Sequence, residues 1–469
     1  MQVVVLIGFV VALTLANEGP LLAGGWVAGL AVVMYLAGAV AMGAFKTALS
    51  LRAIGRRDDV PAGVLRRHNL MTVVAQCWLI LGLAGAILIG YGQWVLRDLH
   101  LGRIPLVGQI VLVGPFVVAL LLSWLLEYPF YREVRGRIAH QQMLMGVSVR
   151  TGWTLREYLD YNVRHHLLFV AVPVGLILLA KDLLLLARPL FGDEIGGHVV
   201  LGGTVACAAV VFVCAPLLIV RIWRTKRLPD GGLRDDLVRA CRQMKLKCRD
   251  ILVWRSGGMI ANAGVMGIIG PVRYVLLSDA LLEHMDNQQV KAIFAHEAGH
   301  ITSHHLLYSM LFAVSAAALA ASAGELLAEA LRLGPESWIA ETAAAGLLAV
   351  AWGVGFGWLS RRFERQSDVI GAWASGPDGP TEDGRITPEG AAVFSRSLES
   401  VAQLNGIPPG QRSWRHGSIN SRVRYILWLG STGGGRRQID RLVRRVKVGL
   451  WSALAVAGLI VVVRLALGV

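Results

Sequence analysis

The segment 291–305 reads KAIFAHEAGHITSHH and contains the motif H-E-x-x-H at His296, Glu297 and His300. Apolar residues recur around the motif at helical spacing, so we expect it to lie on a helix. Spacing i, i+4 then stacks the two imidazoles on one face, about 6 Å apart along the axis, where both can bind one metal ion. Glu297 can reach a water at that metal as a general base.

A catalytic zinc also needs a third protein ligand and an open position for water. The segment 360–368, SRRFERQSD, supplies Glu364 with Asp368 one turn later. We expect Glu364 to bind the metal and Asp368 to hydrogen-bond a ligand histidine. The alternative for this segment is a basic juxtamembrane helix with intrahelical ion pairs. His304 competes as third ligand, but histidines at i, i+4 and i+8 span about 12 Å, too far for one ion to touch the outer pair.

The composition places this motif in a membrane protein. Hydrophobic residues make up 55% of the 469 residues and charged residues only 16%, against about 25% charged in soluble proteins. The net charge of +15 is typical of basic cytoplasmic loops beside anionic lipid, so we do not expect a nucleic-acid partner. Neither a phosphate-loop GK dipeptide nor the serine-hydrolase motif G-x-S-x-G occurs.

Eight apolar runs are long enough to span a bilayer. A ninth run, 3–16, has only 14 residues and is read as a short first span, with a signal-peptide core as the alternative. Lys181 and Asp182 interrupt one run late in its length, which indicates a helix end or a polar cavity. The eight runs are 21–45, 73–91, 105–127, 167–187, 199–220, 306–331, 338–359 and 446–467.

Sidedness follows from the basic residues of the short loops. The loops 46–69 and 132–166 carry six Lys or Arg each, whereas the alternate loops carry two or fewer. The basic loops are therefore expected to be cytoplasmic, and alternation places 221–305 and 360–447 on the same side. We expect an integral protein of the bacterial inner membrane with its catalytic segments in the cytoplasm.

The motif helix is expected to run straight into the span that begins near Leu306, while Glu364 follows directly on the span that ends near Leu359. His304 and His305 would then cover the interface where the helix enters the membrane. A metal site attached in this way to a membrane hairpin favours membrane-associated protein or peptide substrates.

These residues resemble the integral-membrane gluzincin metallopeptidase family of the type I CAAX prenyl endopeptidase and HtpX. The resemblance covers 238–426 and depends on four motifs in order. They are ANAGVMG with PVRYVLLSDALLE (261–267 and 271–283), HEAGH (296–300), RRFERQSD (361–368) and SWRHGSINSR (413–422).

The resemblance implies a role for each matching residue. His296, His300 and Glu364 would be the Zn²⁺ ligands, and Glu297 would be the catalytic base. Asp368 and Arg422 would support the ligands, His416 would stabilise the tetrahedral intermediate, and the segment with Asn262, Ala263 and Gly267 would bind substrate.

The sequence departs from the family pattern directly after His416. Gly417 and Ser418 follow His416 where the CAAX-processing members have paired prolines. Processing of prenylated proteins is therefore not carried over to this chain.

The sequence thus predicts a polytopic α-helical membrane protein of eight or nine spans with a cytosolic α+β zincin-like catalytic domain. Its predicted function is a zinc-dependent membrane-embedded endopeptidase that acts near the cytosolic membrane face. The alternative is a non-catalytic metal-bound membrane scaffold or receptor, and the oligomeric state is left open. The expected parts are transmembrane regions at 1–221, 303–359 and 446–469 and peptidase segments at 222–302 and 360–445.

Overall fold

The computed structural model describes residues 1–16, 24–55, 61–144, 152–332 and 338–467. Arg56, Arg57 and Arg150, which entered the charge count above, lie outside these ranges. The chain divides into two compact units, one formed by 1–225 with 255–259 and the other by 226–254 with 260–469. Each unit has its own apolar core.

Eight helices in the described residues are long and apolar enough to cross a membrane. A shorter apolar helix, α1 (Gln2–Leu15), corresponds to the run left open above. The prediction of a polytopic helical membrane protein with eight confident spans is confirmed. The candidate spans are Gly25–Ile54, Gly63–Tyr91, Val107–Gln141, Leu155–Phe191, Ile195–Ile222, His305–Ala330, Ala343–Ala374 and Arg436–Arg464.

The first unit is a helical bundle. Phe116 is fully buried and meets Phe9 of α1 edge to face, with 6.3 Å between ring centroids. Asp182 is buried, and its carboxylate accepts hydrogen bonds from Leu106 N and Gln109 Nε2. Both donors lie near the start of a neighbouring span. The helices are α2 (Gly25–Ile54), α3 (Ala62–Ala86), α4 (Val107–Leu144), α5 (Leu155–Asn162), α6 (Phe169–Ala187) and α7 (Gly192–Ile222).

Polar side chains also meet inside this bundle. Lys46 Nζ lies 3.0 Å from Glu127 Oε2, and His68 Nε2 lies 3.2 Å from the other carboxylate oxygen. Ser50 Oγ is 2.9 Å from His68 Nδ1. A buried charge is tolerated when it is paired in this way, so the cluster ties α2, α3 and α4 together.

The second unit combines a small mixed sheet with helices. The strands are β1 (Lys226–Arg227), β2 (Asp250–Trp254), β3 (Ala263–Met266) and β4 (Tyr274–Ser278), in the order β1-β2-β4-β3. β2 and β4 run parallel, while β1 and β3 pair antiparallel with their neighbours. β3 is therefore an edge strand. Together with the helices, this sheet confirms the predicted α+β domain.

The helices of the second unit surround the sheet and extend into three of the apolar spans. A π-helical segment, Ala351–Phe356, joins α12 to α13. The helices are α8 (Gly232–Gln243), α9 (Asp279–His284), α10 (Asn287–Thr302), α11 (His305–Ala330), α12 (Trp338–Val350), α13 (Gly357–Ala374), α14 (Pro388–Leu404), α15 (Ile419–Ser431) and α16 (Arg436–Leu467).

The motif helix α10 starts and ends at defined residues. Asp286 is its N-cap and forms a capping box with Gln289, which satisfies backbone N–H groups that have no partner within the helix. The helix does not run straight into the next span as expected. It ends at Thr302, and His304 has a left-handed backbone (φ 57°) before α11 begins at His305. A left-handed residue reverses the local twist, so α10 and α11 are separate helices.

Candidate functional site

Two helices bring the predicted metal ligands together. His296 and His300 lie one turn apart on α10, and Glu364 lies on α13, which packs against α10. His296 Nε2 is 3.3 Å from His300 Nε2 and 3.8 Å from Glu364 Oε2, and His300 Nε2 is 3.6 Å from Glu364 Oε1. The close approach is possible because Gly299 faces Ile370 of α13, where a Cβ would lie 3.3 Å from the isoleucine side chain.

The donor set fits a zinc ion. Ligand atoms that bind one Zn²⁺ tetrahedrally at about 2.0–2.1 Å lie about 3.3–3.4 Å from each other, close to the separations observed here. Two imidazoles and one carboxylate are a donor set that catalytic zinc sites use. Among the described residues, this triad is the only group of three metal-ligating side chains whose donor atoms all lie within 4.8 Å.

A buried carboxylate, itself paired with an arginine, lies beside one of the predicted ligands. Asp368 is fully buried, and its Oδ1 lies 3.0 Å from His296 Nδ1. Arg422 of α15 donates two hydrogen bonds to Asp368, from Nε at 2.9 Å and from Nη2 at 2.6 Å. Arg422 Nη2 also lies 3.6 Å from Glu364 Oε2. The guanidinium balances the carboxylates and fixes both in place, as charge pairing in a buried site requires.

The electrostatics differ among the motif residues. Burial raises the pKa of Glu297 to about 7, so this carboxyl group exchanges protons near neutral pH. Burial lowers the pKa of His300 to about 4, and the neighbouring His296 adds to this effect. His300 is therefore neutral at pH 7, the form that binds metals. For His296, burial also opposes the charge, but Asp368, Glu364 and Glu297 outweigh it and raise the pKa.

His416 sits at the tip of a tight turn. Ser413 and Gly417 exchange two backbone hydrogen bonds of 2.9 Å, which close the turn around it. Its Nδ1 lies 2.8 Å from Glu364 Oε1, and the side chain is 47% exposed. The structure thus places His416 beside the ligand cluster and open to solvent.

The turn requires a positive φ at Gly417. Gly417 has a φ of 76°, whereas proline is locked near −65°. A proline at position 417 could therefore not adopt this turn. Glycine at position 417 therefore fits the positive φ that the turn requires.

The predicted substrate-binding residues lie along the edge strand. Asn262 is exposed and precedes β3, and its backbone exchanges hydrogen bonds of 2.9 Å with Ser278 at the end of β4. Ala263 opens β3, which contacts α10. Gly267 ends it with a φ of 110°, where a Cβ would lie 2.6 Å from Val272 O. Gly267 is therefore required by the backbone itself.

His305 is the residue whose position the sequence analysis missed. It is buried, and its Nδ1 lies 3.0 Å from His300 Nδ1. The apolar spacing of the sequence carries no signal for this contact, because it depends on the break between α10 and α11, which turns His305 back toward His300. His304, the rival ligand, is exposed and does not join the triad.

Comparisons with known proteins agree with the motif. Residues 231–382 match the sequence profile of peptidase family M48. No curated protein sequence matches the chain. The crystal structure of Ste24p from S. mikatae shows 13% sequence identity with a TM-score of 0.44, and the alignment covers 87% of this chain and 100% of that one. The chain carries an M48 peptidase domain, and with its eight candidate spans it is a membrane metallopeptidase; the resemblance stated above is confirmed.

Proposed function

We propose that this metallopeptidase uses zinc and water to cleave peptide bonds of membrane-associated substrates near the cytosolic face. The observation that carries the proposal is the convergence of His296, His300 and Glu364 from two helices with Glu297, whose carboxyl pKa is raised, beside them. This arrangement combines a metal-binding triad and a base in one site.

The residues divide the work of hydrolysis between them. Zn²⁺, when held by the triad, supplies a Lewis acid that polarises the scissile carbonyl and lowers the pKa of water. Glu297 accepts the proton from the attacking water and delivers it to the leaving nitrogen, a cycle suited to a pKa near neutrality. His416 uses Nδ1 toward Glu364, so its Nε2 is the atom available to donate to the developing oxyanion.

The edge strand β3 is the proposed substrate platform. It is hydrogen-bonded to β4 on one side and ends the sheet on the other. An extended peptide can add to such an edge through main-chain hydrogen bonds, which accept many side chains. We therefore propose a protease with broad side-chain tolerance.

The membrane hairpin supports a substrate at the bilayer surface. α11 begins three residues after α10 ends, and α13 continues from the π-helical end of the second hairpin helix. Glu364 lies eight positions into α13, within the long apolar helix Ala343–Ala374, so the third member of the triad is part of the same helix as a candidate span. The six basic residues in each of two short loops support the cytosolic assignment.

Replacement of Glu297 by Gln separates proteolysis from a metal-bound scaffold. The full-length protein in detergent would be assayed with a membrane-anchored reporter peptide and for zinc content, beside the wild type. We expect Glu297→Gln to keep the zinc and to lower kcat by about 10²–10⁴-fold, because it removes the general base. Unchanged turnover, or a wild type that binds zinc but cleaves no membrane-anchored or soluble peptide, would contradict the proposal and favour the scaffold.

A further inference from the structure

A line of hydrogen bonds leads from His300 away from the metal triad. His300 Nδ1 lies 3.0 Å from His305 Nδ1. His305 Nε2 lies 2.8 Å from Gln366 Oε1, and Gln366 Nε2 lies 2.6 Å from Asp440 Oδ1. The line passes from α10 through α11 and α13 to the first turns of α16.

The direction of these hydrogen bonds follows from their last acceptor. An ionised carboxylate only accepts, so Gln366 turns its NH₂ group to Asp440 and its carbonyl oxygen to His305. His305 must then donate from Nε2, which leaves its Nδ1 as an acceptor. His300 therefore donates from Nδ1, and its Nε2 presents a lone pair to the position between His296 and Glu364.

We infer that His305, Gln366 and Asp440 are positioning residues that hold His300 in its metal-binding tautomer and orientation. The inference rests on the proposed zinc-peptidase function. A second hydrogen bond from a ligand histidine fixes its ring and raises its basicity, and the loss of such a partner costs about 10–100-fold in metal affinity.

Packing keeps this line from rearranging. The ring of His305 is 3% exposed and stacks on Phe363, with ring centroids 4.2 Å apart and planes within 8°. Gln366 is buried as well, at 6% exposure. Water therefore has little access to replace either partner, and an unpaired polar group here would carry a high cost.

The two ligand histidines are held in different ways. His296 faces the buried carboxylate of Asp368, whose charge Arg422 balances. His300 contacts the imidazole of His305, which is followed by the amide of Gln366. Asp440, at the far end, is the one charged side chain of this line. The second arrangement also ties the ligand to α16, which makes another contact where Lys447 Nζ donates to Ser303 O at 2.6 Å.

The test compares substitutions at two adjacent histidines. His305→Leu removes the acceptor for His300, and His305→Asn keeps an acceptor oxygen on a side chain of similar reach. His304→Asn is the matched control, because His304 is exposed and asparagine tolerates its left-handed backbone. Zinc affinity would be measured by chelator competition on the full chain in detergent, together with the absorption spectrum of the Co²⁺-loaded protein.

We expect His305→Leu to bind zinc about 10–100-fold more weakly and to alter the Co²⁺ spectrum. His305→Asn should recover most of the affinity, and His304→Asn should match the wild type. A half-exposed position provides a second variant: Asp440→Ala should weaken binding about threefold without threatening the fold.

The outcomes separate this inference from the proposed function. A wild type that binds zinc while His305→Leu or Asp440→Ala binds it equally well overturns the positioning role alone. Equal losses in His305→Asn and His305→Leu also overturn it, because the acceptor would then not matter. A wild type that binds no zinc overturns the proposed function and the inference together.

Discussion

Glu364 is the residue on which the proposed metal site depends most. It is buried, lies within 3.6–3.8 Å of both ligand histidines and is 2.8 Å from His416. The sequence motif alone supplies two ligands, and only the packing of α13 on α10 brings a third to them. We therefore expect the loss of Glu364 to weaken zinc binding more than the loss of any other carboxylate in this domain.

We predict that Glu364→Ala lowers zinc content from near one per chain to a small fraction of that value, and that hydrolysis falls with it. A triad that loses one of three protein ligands no longer encloses the ion. Glu399→Ala is the control, because Glu399 is an exposed glutamate of α14. Zinc would be counted by elemental analysis of both purified variants, and equal zinc in the two would refute the assignment.

The pKa of Glu297 predicts how kcat depends on pH on the acidic side. Burial raises its pKa from 4.5 to about 7, while a nearby bound cation stabilises the carboxylate and draws the pKa back toward its usual value. Because the base acts when deprotonated, kcat should fall as the pH drops through a value between these limits. Zinc content at each pH is the control, and a constant kcat from pH 4 to 7 with zinc retained would count against Glu297 as the base.

At the scale of the elements, the point at which a helix ends affects the site more than the length of the helix does. An apolar pattern at helical spacing runs through 290–331 with little sign of interruption, and yet α10 and α11 are separate. The left-handed backbone at His304 ends the first helix, and Lys447 satisfies the carbonyl of Ser303 that the break exposes. Hydrophobic spacing does not report such a turn, because it reflects burial and not the backbone angle of one residue.

The edge strand leads to a prediction about substrates. If a peptide pairs with the open edge of β3, methylation of the substrate N–H groups that point to the strand should lower kcat/KM, by about tenfold at most per position. Alternate N–H groups of an extended peptide point away from the strand, so methylation there is the matched control. A series of singly methylated peptides would be assayed, and equal losses at both sets of positions would exclude strand pairing.

At the scale of the whole molecule, sidedness is the testable property. Alternation of the basic loops predicts that the catalytic segments face the cytosol and that the loop after the second confident span faces the opposite side. Two exposed positions report on this: Glu399 on α14 and Leu99 between α3 and α4.

We predict opposite labelling of these positions by a membrane-impermeant maleimide, each replaced by Cys in a chain whose five native cysteines are changed to serine. Glu399→Cys should react in inverted vesicles and Leu99→Cys in intact spheroplasts, because the reagent does not cross the bilayer. The reverse pattern would place the catalytic domain outside the cytosol.

The sequence by itself determined the membrane class, the eight confident spans and the two histidines that share one face of the motif helix. These follow from local quantities: hydrophobic length along one helix and the i, i+4 spacing of two histidines. Gly417 belongs here too, since glycine is the residue that permits its positive φ.

Only the tertiary structure decided the contacts that connect the outer residues to the triad. The pairing of Arg422 with Asp368 joins residues 54 positions apart, and that of His305 with Gln366 joins residues 61 apart. Neither distance in the chain carries a spacing rule, because the contacts arise from the packing of α10, α11, α13 and α15. Likewise, no pattern within 436–445 distinguishes Asp440 as the end of a line to a metal ligand, since its role exists only after α16 has packed beside α13.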